Sequence, residues 1–327
     1  MKGKIKVMRW MLLFSTLLLC MKFFAWYVTR SNAILTDALE SIVNVVAGAF
    51  ALFSMIYASR PRDEDHPYGH GKIEFISAGF EGALIFLAGG FIIFQSIRGF
   101  LNPHEIPKAD IGAYLTAFSG LCNFLMGYFL VARGKKQNSA LMIANGRHLI
   151  ADMVTSSGLV VGLIIIYFTG LTWIDNLLAV ILGLYVIYTG FELVRESFGN
   201  LLDEQDQEKI AELIKILNKN RRENWIDMHN LRILKYGSGL HVDAHITLPW
   251  YLSLEQAHDE VEAVEKLVTK EVGAEMEFFI HADPCLPKCC PICSVQNCKV
   301  RKADQVKKLE WTKENMLPDA KHTIENR

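Results

Sequence analysis

Asp37, Glu40 and Asn44 recur at steps of three and four residues within one apolar stretch of the sequence. On a helix those steps bring all three to one face. A second apolar stretch carries His148 and Asp152, again four apart. Ionisable groups in such surroundings are costly, so they are usually paired or functional. Helices packed with these faces together offer carboxylates, an imidazole and an amide oxygen around one point. That set suits a divalent cation, whose charge offsets that of the acids. Hydrogen bonding between helices alone is the competing reading. It fits less well, because the acids sit well inside their stretches and occur in two of them at matching spacing.

Three further groups have ligand chemistry. The segment Asp63-Glu-Asp-His66-Pro-Tyr-Gly-His70-Gly-Lys72 places carboxylate and imidazole groups close enough to meet around one zinc ion. Its glycines allow tight turns, though the same composition also suits a solvated linker. His241, Asp243 and His245 alternate, so in a strand all three point to one side. Near the C-terminus, Cys285, Cys289, Cys290, Cys293 and Cys298 crowd around Pro287 and Pro291. Four thiolates at such spacing make a tetrahedral zinc site, with an iron–sulfur cluster or unliganded reduced thiols as alternatives. So tight a grouping is not the disulfide framework of a secreted domain.

The elements that must hold these groups are of two kinds. The 327 residues are 51% hydrophobic yet 21% charged, and the mean hydropathy of +0.20 averages two unlike parts. Six apolar runs lie at about Met8–Val28, Ala33–Tyr57, Phe75–Ile97, Ile111–Val131, Met142–Thr169 and Trp173–Val194. Each reaches the roughly 20 residues that a helix needs to cross a bilayer. The first follows Lys2, Lys4, Lys6 and Arg9 as a signal peptide would, but it is too long and has no small-residue cleavage site, so it reads as a retained span. Lys and Arg gather in that N-terminal arm, after the second span (Arg60, Arg62, Lys72) and after the fourth (Arg133, Lys135, Lys136). Only Arg30, Arg98 and Lys108 fall on the other side. Both termini are therefore expected in the cytoplasm.

Composition also excludes some classes. A net charge of -1 and a pI near 6.8 leave no broad basic surface for a nucleic acid. No nucleophile with a base at motif spacing and no Gly-rich phosphate loop points to an enzyme or an ATP-driven pump.

Beyond the last run the pattern predicts helix, strand, strand, helix, strand. Ile210, Leu213, Ile214 and Leu217 recur at helical spacing, and two alternating segments flank Gly237-Ser238-Gly239 as a hairpin requires. A helix follows over Ser253–Val272 and a strand over Met276–His281. The expected organisation is a membrane part at 1–200, a small α+β domain at 201–284, and a cysteine-rich cluster with a polar tail and no obvious core at 285–327.

Ser31-Asn-Ala-Ile-Leu-Thr-Asp37-Ala-Leu-Glu40-Ser-Ile-Val-Asn44, the loop from Asp63 to Lys72, and His148-Leu-Ile-Ala-Asp152 resemble the cation diffusion facilitator family of divalent metal/proton antiporters. The likeness runs from about Met8 to Cys285 and leaves the cysteine cluster outside. It implies an α-helical membrane protein with six transmembrane helices and a metallochaperone-like αββαβ cytoplasmic domain. It further implies a homodimer in the lipid of a membrane, by default a prokaryotic inner membrane. The transport site would be Glu40, Asn44, His148 and Asp152, with Asp37 either relaying protons or holding its helix. The loop would bind metal through Asp63, His66 and His70, and the cytoplasmic domain would bind zinc through His245, His258, His281 and Asp283. Lys72 and Asp203 would form the ion pair that ties the membrane dimer together.

Zinc-transporting members usually carry Asp or His and then Asp in the second span, where this chain has Glu40 and Asn44. A neutral oxygen in place of a carboxylate raises the standing of manganese and ferrous iron as substrates. Zinc stays first, because His148, the histidine loop and the thiols suit a borderline-soft ion. The expected function is export of that cation in exchange for protons, since ligand histidine must be neutral and carboxylates ionised before metal binds. A membrane metal sensor that does not transport is the alternative.

Overall fold

The structure, a computed structural model, describes residues 2–29, 32–101, 109–137, 139–169, 173–237, 239–272 and 276–322. It divides into two compact units, Met1–Leu202 and Asp203–Arg327.

Each apolar run of the first unit forms one long helix: α1 (Lys2–Thr29), α2 (Asn32–Ala58), α3 (Ile73–Leu101), α4 (Ala109–Lys136), α5 (Ala140–Thr169) and α6 (Trp173–Leu201). Among the described residues, Ile5–Phe24, Ile73–Leu101 and Ala113–Lys136 are each long and apolar enough to cross a membrane by length and composition. Side-chain placement is inverted relative to a water-soluble bundle. Phe24, Leu87, Tyr114 and Phe168 stand outward, while Ser15, Lys22, Asn123, Asn145 and Asp152 are inside. Lipid accepts the former, and hydrocarbon would penalise the latter if they faced it.

α3 packs along α6, and α4 along α5. At one crossing the backbones nearly touch: a β-carbon on Gly190 of α6 would lie 2.8 Å from the Gly82 carbonyl oxygen and 2.6 Å from the Phe86 nitrogen of α3. Lipid tails are as apolar as the helix surfaces, so association depends on such close packing rather than on escape from water.

The second unit follows the predicted order. α7 (Gln207–Lys219) and α8 (Leu254–Val272) pack with β1 (Asp227–Tyr236), β2 (Gly239–Leu248) and β3 (Met276–Pro284). The sheet order is β1-β2-β3, with β1 antiparallel and β3 parallel to β2. α7 begins where the Asp206 carboxylate accepts from the backbone N–H groups of Glu208 and Lys209, satisfying donors that a helix start leaves open. Its apolar stripe, Ile210, Leu213, Ile214 and Leu217, joins Leu231, Ile233, Val242 and Ile246 of the sheet in one core.

The tail does not lack a core, contrary to the expectation from its composition. Trp311 and Met316, the latter in α9 (Lys313–Met316), are fully buried members of the same cluster. The Arg221 guanidinium lies 4.1 Å from the centre of a Trp311 ring, and Asn218 bonds the Trp311 backbone through both ends of its amide. A single tryptophan in a polar run carries no periodicity, so no local pattern places it in a core.

Candidate metal sites

α2 and α5 bring Asn44, His148 and Asp152 together in the interior of the first unit. The Asn44 amide N–H donates to Asp152 Oδ2, and the Asn44 oxygen accepts from His148 Nε2. His148 Nε2 also lies 3.5 Å from Asp152 Oδ1. The chain His148 to Asn44 to Asp152 assigns the imidazole proton to Nε2, while Nδ1 is buried without a hydrogen-bond partner. Three groups able to coordinate a cation therefore already converge. Glu40 and Asp37 stand one and two turns earlier on α2, but their side chains lie outside the described residues.

Other buried polar groups of this unit escaped the sequence reading. Glu81 of α3 accepts from the Asn145 amide of α5 at 2.5 Å and is within electrostatic reach of Asp152. Lys22 of α1 donates to Ser41 of α2 at 2.8 Å. Both charges sit inside apolar runs, the same signal that singled out Asp152.

The loop between α2 and α3 brings Asp63, His66 and His70 together. Asp63 Oδ1 is 2.9 Å from His66 Nδ1, and Asp63 Oδ2 is 3.3 Å from His70 Nε2. One ligand atom from each of the three lies within 4.8 Å of the others. Gly69, at φ +87°, supplies the backbone turn between the histidines. His70 is buried against the Tyr57 ring while Asp63 and His66 are exposed. The His66 hydrogen bond holds the Asp63 carboxyl below its ordinary range. Lys72 follows at the start of α3, and Asp203, at φ 61°, follows α6.

On the sheet, register places three histidines in a row: His229 opposite His245 and His245 opposite His281. Their rings stand 5.2 and 5.0 Å apart. Asp283 reaches all three, at 3.5 Å from His229, 3.3 Å from His245 and 3.7 Å from His281. Asp319 of the tail completes a group with His229 and His245 whose ligand atoms lie within 4.8 Å. Of the expected residues His245, His281 and Asp283 thus meet, whereas His258 is exposed on α8 beside Glu262. His241, on the same face, instead packs against Phe279 and pairs with Asp243.

Sequence reading missed His229 and Asp319. Behind His229, burial alone would raise the Asp227 carboxyl, but hydrogen bonds from His229 and His322 hold it well below the usual carboxylate range.

Cys285 continues β3, and Cys289, Cys290 and Cys293 lie on or beside a short helix at Pro287–Ile292. Burial pushes the Cys285, Cys289 and Cys293 thiols up.

Outward-facing apolar helices enclosing ligand groups, joined in sequence to an αββαβ domain with a histidine row, define a membrane transporter of metal cations. The chain matches the cation efflux transmembrane domain over residues 8–202 and the cytoplasmic domain of cation efflux proteins over residues 205–285. It belongs to this family, the cation diffusion facilitators. Similar proteins include the uncharacterized transporter sll1263 of Synechocystis, 31% identical over 81% of this chain and 85% of that one. The cation-efflux pump FieF of Citrobacter koseri is 28% identical over 83% and 89% of the two chains, and that of Salmonella arizonae 27% over 82% and 88%. The family match ends at residue 285, so four of the clustered cysteines and the tail lie beyond it.

Proposed function

We propose that this protein exports a divalent cation, zinc before manganese or ferrous iron, from the cytoplasm in exchange for protons. Glu40, Asn44, His148 and Asp152 form the transport site. The observation that carries this reading is the hydrogen-bonded chain from His148 through Asn44 to Asp152 across two helices. A cation binding there requires the His148 ring neutral with Nε2 free of hydrogen and the carboxylates ionised. Protons carried by an imidazolium or a carboxylic acid at the site must therefore leave as metal enters, and the His148–Asn44 hydrogen bond breaks. Protons returning from the far side restore the chain and expel the metal, which is the alternation that antiport needs.

The protein acts as a homodimer in the bacterial inner membrane with both termini cytoplasmic. Lys72 and Asp203 tie the membrane halves, and the loop and sheet groups bind metal on the cytoplasmic side. Asp37 serves Glu40 from one turn away, as proton relay or as helix anchor.

Purified protein in proteoliposomes under an imposed pH gradient tests the proposal, with zinc, manganese and ferrous iron compared. Zinc uptake driven by the gradient, abolished by His148→Ala, is the expected result. Unchanged flux in that variant overturns the site. A protein that binds zinc through its cytoplasmic unit but moves none would be a sensor instead.

A further inference from the structure

Five cysteines, four of them beyond the family match, line a cavity of about 290 Å³ at the end of the sheet, beside Tyr251. Its frame is fixed. The Cys285 backbone N–H bonds the Leu248 carbonyl at 2.8 Å, continuing the sheet. Arg301 donates to the carbonyls of Cys290, Cys293 and Val295 at 3.2, 3.3 and 2.6 Å, which staples the loop that carries the thiols. The Lys302 backbone N–H points at Cys290 Sγ from 3.4 Å. These are ordered walls rather than a loose tail.

Two features decide what the cavity takes. Around a tetrahedral zinc ion at ~2.3 Å, four sulfurs would stand roughly 3.8 Å from one another. Among the described residues, the ligand groups that close to within 4.8 Å contain no cysteine, so no three of the sulfurs stand as near to one another as a single zinc ion would hold them. The spacing of Cys285, Cys290, Cys293 and Cys298 is C-x4-C-x2-C-x4-C, and its first three members have the separation found in plant-type iron–sulfur ferredoxins. Cys285 is within electrostatic reach of Cys290 and Cys298, and Cys293 of Cys285 and Cys298. Cys289 also reaches Cys285, but it is the most buried of the five, packed in an apolar cluster with Ile226 and Val295 and within electrostatic reach of Asp227 and Lys321. We propose that Cys285, Cys290, Cys293 and Cys298 hold an iron–sulfur cluster in this cavity. Cys289 packs behind the cluster without binding it.

The test uses the full-length protein purified in detergent without oxygen and, in parallel, the same protein incubated with ferrous iron and sulfide. Iron, acid-labile sulfide and zinc are counted per chain, and the visible charge-transfer absorption is recorded. The expected result is iron with matching sulfide and an absorption bleached by dithionite. All of these are lost in Cys290→Ser/Cys293→Ser and retained in Cys289→Ser. Should the double variant fail to fold, Cys298→Ser, at a less buried position, must show the same loss. Zinc without sulfide that disappears in these variants overturns the proposal, as does a cavity that takes up neither. Transport is not the readout, so either outcome leaves the transport proposal to its own test.

Discussion

The Asn44 amide on α2 donates to the Asp152 carboxylate on α5, 108 positions later in the chain. This bond places a neutral side chain where a second carboxylate would make a more strongly charged ligand set. It also makes Asn44→Asp an informative change. Without metal, the new acid faces Asp152, and a buried hydrogen bond to a charged group is lost, at a cost of about 1.5–3 kcal/mol. With metal, the added charge strengthens binding. The variant should therefore melt below the parent protein in chelator and gain more than the parent when zinc is added. Equal zinc-induced shifts would remove Asn44 from the ligand set.

Gly190→Ala examines the packing that holds α3 against α6. The added methyl meets backbone atoms of Gly82 and Phe86, which cannot rotate away as a side chain can. Overpacking of this kind costs about 1–3 kcal/mol. Thermal unfolding in detergent should shift down accordingly, whereas Gly90→Ala, with open space at its β-carbon, should leave the transition in place.

How much of this was legible depends on the period of each element. His148 and Asp152 were readable because residues four apart on a helix share a face, and the meeting of Asp63, His66 and His70 because eight residues that turn at Gly69 have little freedom to separate. The αββαβ order followed from Ile210 to Leu217 and the hairpin glycines. His229 was hidden by a bulge. Strict alternation puts it on the face of Leu231 and Ile233, the buried face. However, the register shifts between His229 and Arg232, and Asn230 takes φ 53°. One extra residue turns His229 to the side of His245. Asp319 was hidden for another reason: it comes from a tail whose path is set by Trp311 and by the Asn230 N–H bond to the Pro318 carbonyl at 2.9 Å, long-range contacts that no local pattern announces.

His229→Ala then separates the sheet site from the membrane site. Removing one end of the histidine row should weaken zinc binding by the cytoplasmic unit at least about tenfold, measured by competition with a chelating dye. The Asn44, His148 and Asp152 cluster is built from other residues, so the zinc-induced thermal shift of the membrane unit should survive. Loss of both responses would mean that the two sites are not independent.

Asp206 links the α7 cap to pH. Burial would raise its carboxyl, but the Lys235 ammonium at 2.9 Å and two backbone N–H donors lower it below the ordinary value. A lowered folded-state value stabilises the protein at pH above the unfolded carboxylate range, and that stabilisation disappears as pH falls through the folded value. Asp206→Asn keeps a capping oxygen without the charge, so its stability should change less than that of the parent between about pH 7 and about pH 3. Asp206→Ala should lose about 1 kcal/mol even at neutral pH. Urea midpoints across that range distinguish the three proteins.

The tail offers the sharpest case of an effect at a distance. Trp311 belongs to the apolar core, and it anchors the chain that carries Asp319 to His229 and His245 and closes Pro318 onto the bulge. Trp311→Ala should cost about 3–5 kcal/mol in the cytoplasmic unit, as for other large buried side chains cut to a methyl. Because the bulge and Asp319 are held by the same segment, zinc affinity at the histidine row should fall with it. Limited proteolysis should release the segment after Cys298 in the variant and spare the parent. If the tail is freed while zinc binding by the histidine row is unchanged, Asp319 is not a ligand and the row binds through β1, β2 and β3 alone.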